Sequence, residues 1–407
     1  MNDPNGLLYY KGKYHLFFQH NPQANVWGNM SWGHATSADL YNWEELPVAI
    51  PCTPTSGIFS GSAVVDFENT SGFGSKENPP IVAIYTEHQN DESNQSQCLA
   101  YSVDEGLTFT KYEGNPVLDL NLPNFRDPKV NWIDGQWIMT LALPQEFKIS
   151  FYSSPNLKDW THLSDFGPAA EVGGIWECPD LFQIGDKWVL IVSLNPGGFQ
   201  VGSGTQYFVG NWNGKEFIAD DVQTRWIDYG RDNYAGVTFS NTGDKKIFLG
   251  WMSNWDYAVK VPTDPWRSAM TIPRELSLQG NTLVQTPIEK PGGFPEVSFT
   301  TSNGAIRIHE NTDRYAEIGV RNGNIYVDTT HAWNEIAAPL VQEVPAPNTE
   351  VDFRVIVDRG SIEVFAASGK VVFTNLVLVD TTLHYVETVG EVKKLRLQQL
   401  SRAQQGL

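Results

Sequence analysis

Three carboxylates stand beside or near a proline at widely separated points of this chain: Asp3 in MNDPNG, Asp127 in FRDPKV and Glu177 in WECPDLF. Cleavage of a glycosidic bond needs two carboxyl groups, one to protonate the leaving oxygen and one to attack the anomeric carbon or activate water. A third near a sugar accepts hydrogen bonds from two vicinal hydroxyls and fixes the ring against the nucleophile. Any single Asp-Pro is explained by a turn. Three acids held close resist ionising together, so such a cluster is costly unless it is used.

Elements that could gather them are strands. Helical periodicity is nearly absent, while short apolar or alternating runs recur between Gly, Pro, Asn and Asp clusters, at 7–10, 14–18, 81–85, 137–141, 188–192 and 247–251. The chain reads as all-β. ATSADLYNWEEL (35–46), YSVDEGLTFTKY (101–112) and FYSSPNLKDWTHL (151–163) each place a Ser, then an Asp or Asn turn, then an aromatic, like one outer hairpin built three times. A second series, MNDPNG at 1, FSGSAV at 59, FRDPKV at 125, WECPDL at 176 and RDNYAG at 231, marks five units. Their period of about 57 residues predicts a five-bladed β-propeller over 1–285. The first strand of each blade then lines the central channel, so the three acids, at the matching place in their repeats, meet at one end of the axis. TPIEKPGGFPE (286–296) is rich in Pro and Gly and reads as a linker. VDFRVIVD, SIEVFAAS and VVFTNLVLV alternate apolar with polar residues and predict a β-sandwich over 297–407.

Bulk properties fit a neutral ligand. The formal charge of -19, from 28 basic and 47 acidic residues, argues against nucleic acid or an acidic membrane as partner. No run approaches the roughly 20 apolar residues that span a bilayer. The 14 Trp offer flat faces for sugar rings, although a β-rich core also uses them. Cys52, Cys98 and Cys178 imply neither a disulfide framework nor a metal cluster. His20 and His34 lack a third ligand at recognisable spacing, so they are expected to be satisfied structural histidines, with no metal and no cofactor. Cys178, beside Glu177, is expected to be a buried structural thiol. Sequons begin at Asn29, Asn69 and Asn94, and the chain opens without a leader-like segment, so any secretion signal lies outside it.

The motifs MNDPNG, WGHATSADLYNW, FSGSAV, FRDPKV, WECPDLF, GSGTQYFVG and PWRSAMTIPREL, with VDRGSIEVF, resemble glycoside hydrolase family 32, the invertases, exo-inulinases and levanases, from Met1 to about Val379. The resemblance implies that Asp3 is the nucleophile, Glu177 the general acid/base and Asp127 the stabiliser of the transition state. It places Asn2, Gln19, Trp27, Ser60, Arg126 and Asp232 around the fructosyl unit, where a fixed Arg126 would relieve repulsion among the acids. The implied reaction is double displacement with retention, with Asp3 and Glu177 carboxyls about 5 to 5.5 Å apart and the charge of Asp3 raising the Glu177 pKa. GWMSNW and PWRSAMTIPREL sit closer to exo-inulinases and levanases, hence an exo-acting β-fructofuranosidase working on inulin, levan or sucrose outside the cytoplasm. Alternatives are a sucrose-preferring invertase or transfructosylase, a fructan-binding protein without catalysis, and an arabinan-degrading propeller. The Trp and strand that usually precede MNDPNG are absent, leaving a pocket wall or propeller closure open, and VDTTHAWNE (327–335) is compressed.

Overall fold

The recurring serine hairpins form one turn repeated. Ser37 Oγ donates to Asp39 Oδ1 (3.0 Å), Ser102 Oγ to Asp104 Oδ1 (2.7 Å) and Ser154 Oγ to Asn156 Oδ1 (3.2 Å). In two of them an indole N–H then closes the turn, Trp43 onto Leu40 O and Trp160 onto Leu157 O, with Leu40 and Leu157 at φ +69° and +67°. Such side-chain bonds offer the backbone an alternative to the ladder, and in the Ser37 and Ser154 turns they set it without glycine.

In this computed structural model, which describes residues 1–332, 336, 340–378 and 383–402, these turns join the outer strands of successive antiparallel sheets. Residues 333–335 of VDTTHAWNE, Val379 and 403–407 lie outside the described residues. Five sheets follow in chain order, with first strands Pro4–Tyr10, Ser56–Val65, Arg126–Ile133, Ile175–Ile184 and Tyr234–Thr238. They are the blades of a five-bladed propeller. Every seam between neighbouring blades is apolar. Val64, Ile84, Phe125 and Leu141 fill one, and Phe151, Trp176, Leu190 and Phe208 the next. The seam between the fifth blade and the first holds Leu7, Phe18, Phe239 and Leu249.

Ser240 closes the ring. Its N–H donates to Leu7 O (2.8 Å), its carbonyl accepts from Tyr9 N (3.0 Å), and its Oγ reaches Ala63 O (2.7 Å) on the second blade. The fifth blade draws all its strands from 234–287, and closure is shared by Ser240, by Asn241 Nδ2 donating to Tyr9 O (2.8 Å), by the Met1 amine donating to Arg267 O (3.0 Å) and by the apolar seam.

Each first strand carries a β-bulge at the same height. Two residues oppose one between Asn5 and Leu8, Ile58 and Gly61, Arg126 and Lys129, Glu177 and Asp180, and Tyr234 and Val237. The residue after the bulge start is left-handed in four blades: Gly6 (φ +54°), Asp127 (+68°), Cys178 (+48°) and Ala235 (+55°). At Gly6 a Cβ would stand 2.6 Å from the Phe17 ring, so only glycine fits there. This alignment corrects the expectation that the acids hold matching places. Glu177 begins its bulge, Asp127 occupies the left-handed position, and Asp3 lies two residues before its bulge starts at Asn5. A bulge turns a side chain away from strict alternation, which lets non-equivalent positions aim at one point.

Beyond Pro287, strands Glu296–His309 and Tyr385–Gln398 run side by side through two layers. The first half of Glu296–His309 pairs with Val351–Asp358, its second half with Tyr315–Arg321, and register shifts between Ser298 and Asn303 mark the division. The layers enclose Phe299, Ile306, Ile318, Val355 and Val364, a β-sandwich core.

Candidate active site

At one end of the channel a cavity of about 460 Å³ opens among Asp3, Asp127 and Glu177. Its wall includes Asn2, Gln19, Trp27, Ser60 and Arg126 from the expected set. Cys178 is the hinge of the acid cluster. Its backbone N–H donates to Asp127 Oδ2 (2.9 Å), and its Sγ lies 3.5 Å from both Asp3 Oδ2 and Asp127 Oδ2. The thiol is buried, and burial with three nearby carboxylates drives its pKa far up, so it sits between the acids as a neutral S–H.

Asp3 accepts from Asn2 Nδ2 (3.2 Å) on one oxygen and from Ser60 Oγ (3.1 Å) on the other. Burial, and then the charge of Glu177, push its carboxyl up to about 6. Asp127 is pushed up to about 7 by the same two causes, with Arg126 opposing them. Glu177 has donors on both oxygens: Arg126 Nε (3.1 Å) and Nη2 (3.0 Å) on Oε2, and the Tyr234 hydroxyl (2.6 Å) on Oε1. The Arg126 guanidinium thus faces Glu177 and Asp127, and it is itself oriented by Gln95 Oε1 (3.2 Å) and Asn124 Oδ1 (3.1 Å).

Gln19 is buried, and its Nε2 donates to Ile58 O (3.0 Å). Trp27 stands on the rim, 52% exposed, with its ring edge-on to Phe59 at 6.0 Å. Asp232 does not join them. One of its oxygens accepts from the Tyr257 hydroxyl, the other from Leu376 N–H (2.8 Å) in the sandwich. Buried and absent from the cavity wall, it is a fastening between propeller and sandwich, which corrects its placement at the sugar. The same interface buries Arg274 between Asp228 (3.3 Å) and Glu363 (2.7 Å).

Tyr234, Phe59, His88, Gln95, Asn124, Gln145 and Trp255 escaped the sequence reading, and all but Tyr234 line the cavity. Tyr234 had a signal, since RDNYAG was singled out, but the carboxylate in it drew the assignment. Of the two histidines considered for a metal, His20 lies edge-on to Phe18 at 5.6 Å, while His34 Nε2 meets His15 Nδ1 at 3.0 Å and its ring stacks on Phe17 at 4.0 Å. Burial lowers both imidazoles, to about 4 for His15 and about 3 for His34. Among the described residues no group of His, Cys, Asp or Glu is arranged to hold a metal ion. Further down the strands that carry Asp127 and Glu177, Lys129 and Asp180 are buried with Thr238, whose backbone N–H and hydroxyl donate to Asp180 Oδ2 (2.8 and 2.7 Å).

Comparison with known proteins gives a consistent set. The glycosyl hydrolases family 32 N-terminal domain matches residues 1–287 and the family's C-terminal domain residues 278–401. A levanase of Bacillus subtilis is 40% identical over 99% of this chain and 69% of its own length. An extracellular exo-inulinase of Aspergillus niger is 38% identical over 92% of this chain and 86% of its own. Among solved structures, an exo-inulinase from Aspergillus awamori superimposes with a TM-score of 0.90 at 36% identity, over 97% of this chain and 94% of that one. A β-fructofuranosidase from Schwanniomyces occidentalis complexed with fructosyl-erythritol gives 0.83 at 33% identity, over 97% and 95%.

Proposed function

Since the chain belongs to glycosyl hydrolases family 32, we propose that its cavity removes single fructosyl units with Asp3 as nucleophile, Glu177 as acid and base, and Asp127 as the anchor of the sugar's hydroxyls. The enzyme is a retaining, exo-acting β-fructofuranosidase that releases fructose from the non-reducing ends of inulin or levan and from sucrose. The observation that carries the assignment of residues is the meeting of three acids, from three separate blades, around Cys178 and Arg126.

In the first step an Asp3 oxygen attacks the fructosyl anomeric carbon, the bond to the leaving oxygen breaks, and the proton on Glu177 passes to that oxygen. Asp3 is thereby esterified and loses its charge, which removes the repulsion it exerted on Glu177. Glu177 then takes a proton from water, whose oxygen attacks the same carbon from the face the leaving group vacated while the bond from that carbon to Asp3 breaks and returns its electron pair to the carboxylate. Fructose departs with its configuration kept, and both carboxyls regain their starting states. Asn2 and Ser60 hold the two Asp3 oxygens, one for attack and one for orientation. Like its extracellular relatives, the enzyme acts on polymers outside the cell.

The test is fructose release from sucrose, inulin and levan by the parent and Glu177→Ala. Monomeric fructose from the parent and loss of most of that rate in the variant are the expected results. An unchanged rate in Glu177→Ala overturns the assignment of roles.

A further inference from the structure

The Gln95 side chain has a fixed orientation. Its Oε1 accepts from Phe125 N–H (2.9 Å) and from Arg126 Nη1 (3.2 Å), both obligatory donors, so the oxygen must face them. The Nε2 amide therefore points the other way, 3.2 Å from His88 Nδ1. An amide N–H can bond to that nitrogen only if it carries no proton, which makes His88 the neutral tautomer with its hydrogen on Nε2. Gln95 is 2% exposed, so water does not substitute for a lost partner there. His88 lines the cavity, and its ring stacks on Phe59 at 4.3 Å and 14°.

A single hydrogen-bonded line thus runs from His88 to Gln95 to Arg126 to Glu177. We propose that His88 is a positioning residue which, as the Nε2–H tautomer, fixes Arg126 against Glu177 through Gln95. The proposal rests on the assignment of Glu177 as acid and base. Two outcomes of adding a proton follow from donor and acceptor counting. Protonated His88 presents N–H to N–H at Gln95, and relief by flipping the amide would turn its NH₂ onto Phe125 N–H and Arg126. Either way the guanidinium loses a fixed neighbour. The charged groups facing His88 are Arg126 from the third blade, and Glu92 and Asp91 from the loop after its own strand. Phe59 on the second blade's first strand offers it only an apolar face. Burial and the Arg126 charge keep the imidazole below its ordinary value, so the neutral form is the resting one.

The experiment measures kcat and KM for sucrose from about pH 4 to about pH 8 in the parent, His88→Phe, His88→Asn and Glu177→Ala. Phe keeps a ring on Phe59 but accepts nothing, and kcat should fall about tenfold with KM within about twofold. Asn places an amide oxygen near the former Nδ1 and does not titrate. It should recover most of the kcat lost in His88→Phe and flatten the acid side of the profile. A long-range ¹H–¹⁵N spectrum, with His88 assigned by its disappearance in His88→Asn, should show Nδ1 bare and Nε2 protonated near neutral pH. Equal kcat in His88→Phe and parent, equal profiles in His88→Asn and parent, or a proton on Nδ1 overturns the proposal while leaving the Glu177 assignment intact. Full activity in Glu177→Ala overturns both.

Discussion

Arg126 and Glu177 begin the bulges of neighbouring blades, and from these equivalent positions the guanidinium of one meets a single carboxylate oxygen of the other at 3.0 and 3.1 Å. Cation and acid are thus delivered by the same backbone device, used twice. Tyr234 begins the next bulge and supplies the other oxygen's partner at 2.6 Å.

An ammonium cannot reproduce that fork. Arg126→Lys should lower kcat by about 10²-fold, with a smaller change in KM, because Lys is a point charge that cannot bond Glu177, Gln95 and Asn124 together. Steady-state kinetics on sucrose reads it, and a kcat within threefold of the parent, about 0.7 kcal/mol, would refute the role.

Tyr234→Phe removes one hydroxyl from a fully buried site and leaves Glu177 Oε1 without its donor. Activity should drop about tenfold, while the thermal midpoint moves by no more than about 3 °C. A large loss of stability with unchanged kcat would make Tyr234 a packing residue only.

Asp3 links pH to stability with a definite sign. Its folded value of about 6 exceeds the ordinary 3.8, so the native state holds the proton more tightly than the unfolded chain does. That contribution is complete below about pH 4 and is lost as pH rises to about 6. Asp3→Asn cannot ionise, so it should melt at least about 2 °C above the parent at neutral pH, a gap that closes below about pH 4. A calorimetric series across that window checks it, and a gap that widens in acid reverses the argument.

Asp232→Ala should weaken the molecule and spare the sugar. Its loss frees Leu376 N–H and the Tyr257 hydroxyl, a cost of about 1–3 kcal/mol, whereas KM for sucrose should stay within about twofold. Arg274→Ala should be harsher, about 3–5 kcal/mol, since Asp228 and Glu363 are left buried without their cation. Melting curves and KM together separate a fastening from a sugar contact: a raised KM with an unmoved midpoint in Asp232→Ala would return that residue to the pocket.

The repeats of Ser and Asp turns carried the propeller plainly, because each hairpin turn is built from side chains within three or four positions of one another. Gathering of Asp3, Asp127 and Glu177 followed from that period. The bulge did not, because it is a mismatch with the neighbouring strand and its left-handed residues, Asp127, Cys178 and Ala235, carry no glycine to mark them. Asp232 was misplaced for a related reason: its partner Leu376 lies 144 residues away, beyond any local pattern. His88 and Gln95 come from inner strands of the second blade, where an amide and an imidazole blend with ordinary strand residues.

Ser240 reaches Leu7 across 233 residues, and it also touches the second blade. During synthesis the strand that follows Asp3 therefore waits, with its seam open, until nearly the whole propeller has left the ribosome. A product truncated before the fifth blade would keep Asp3, Asp127 and Glu177 yet lack the Ser240 contacts and the apolar seam that close the ring around them.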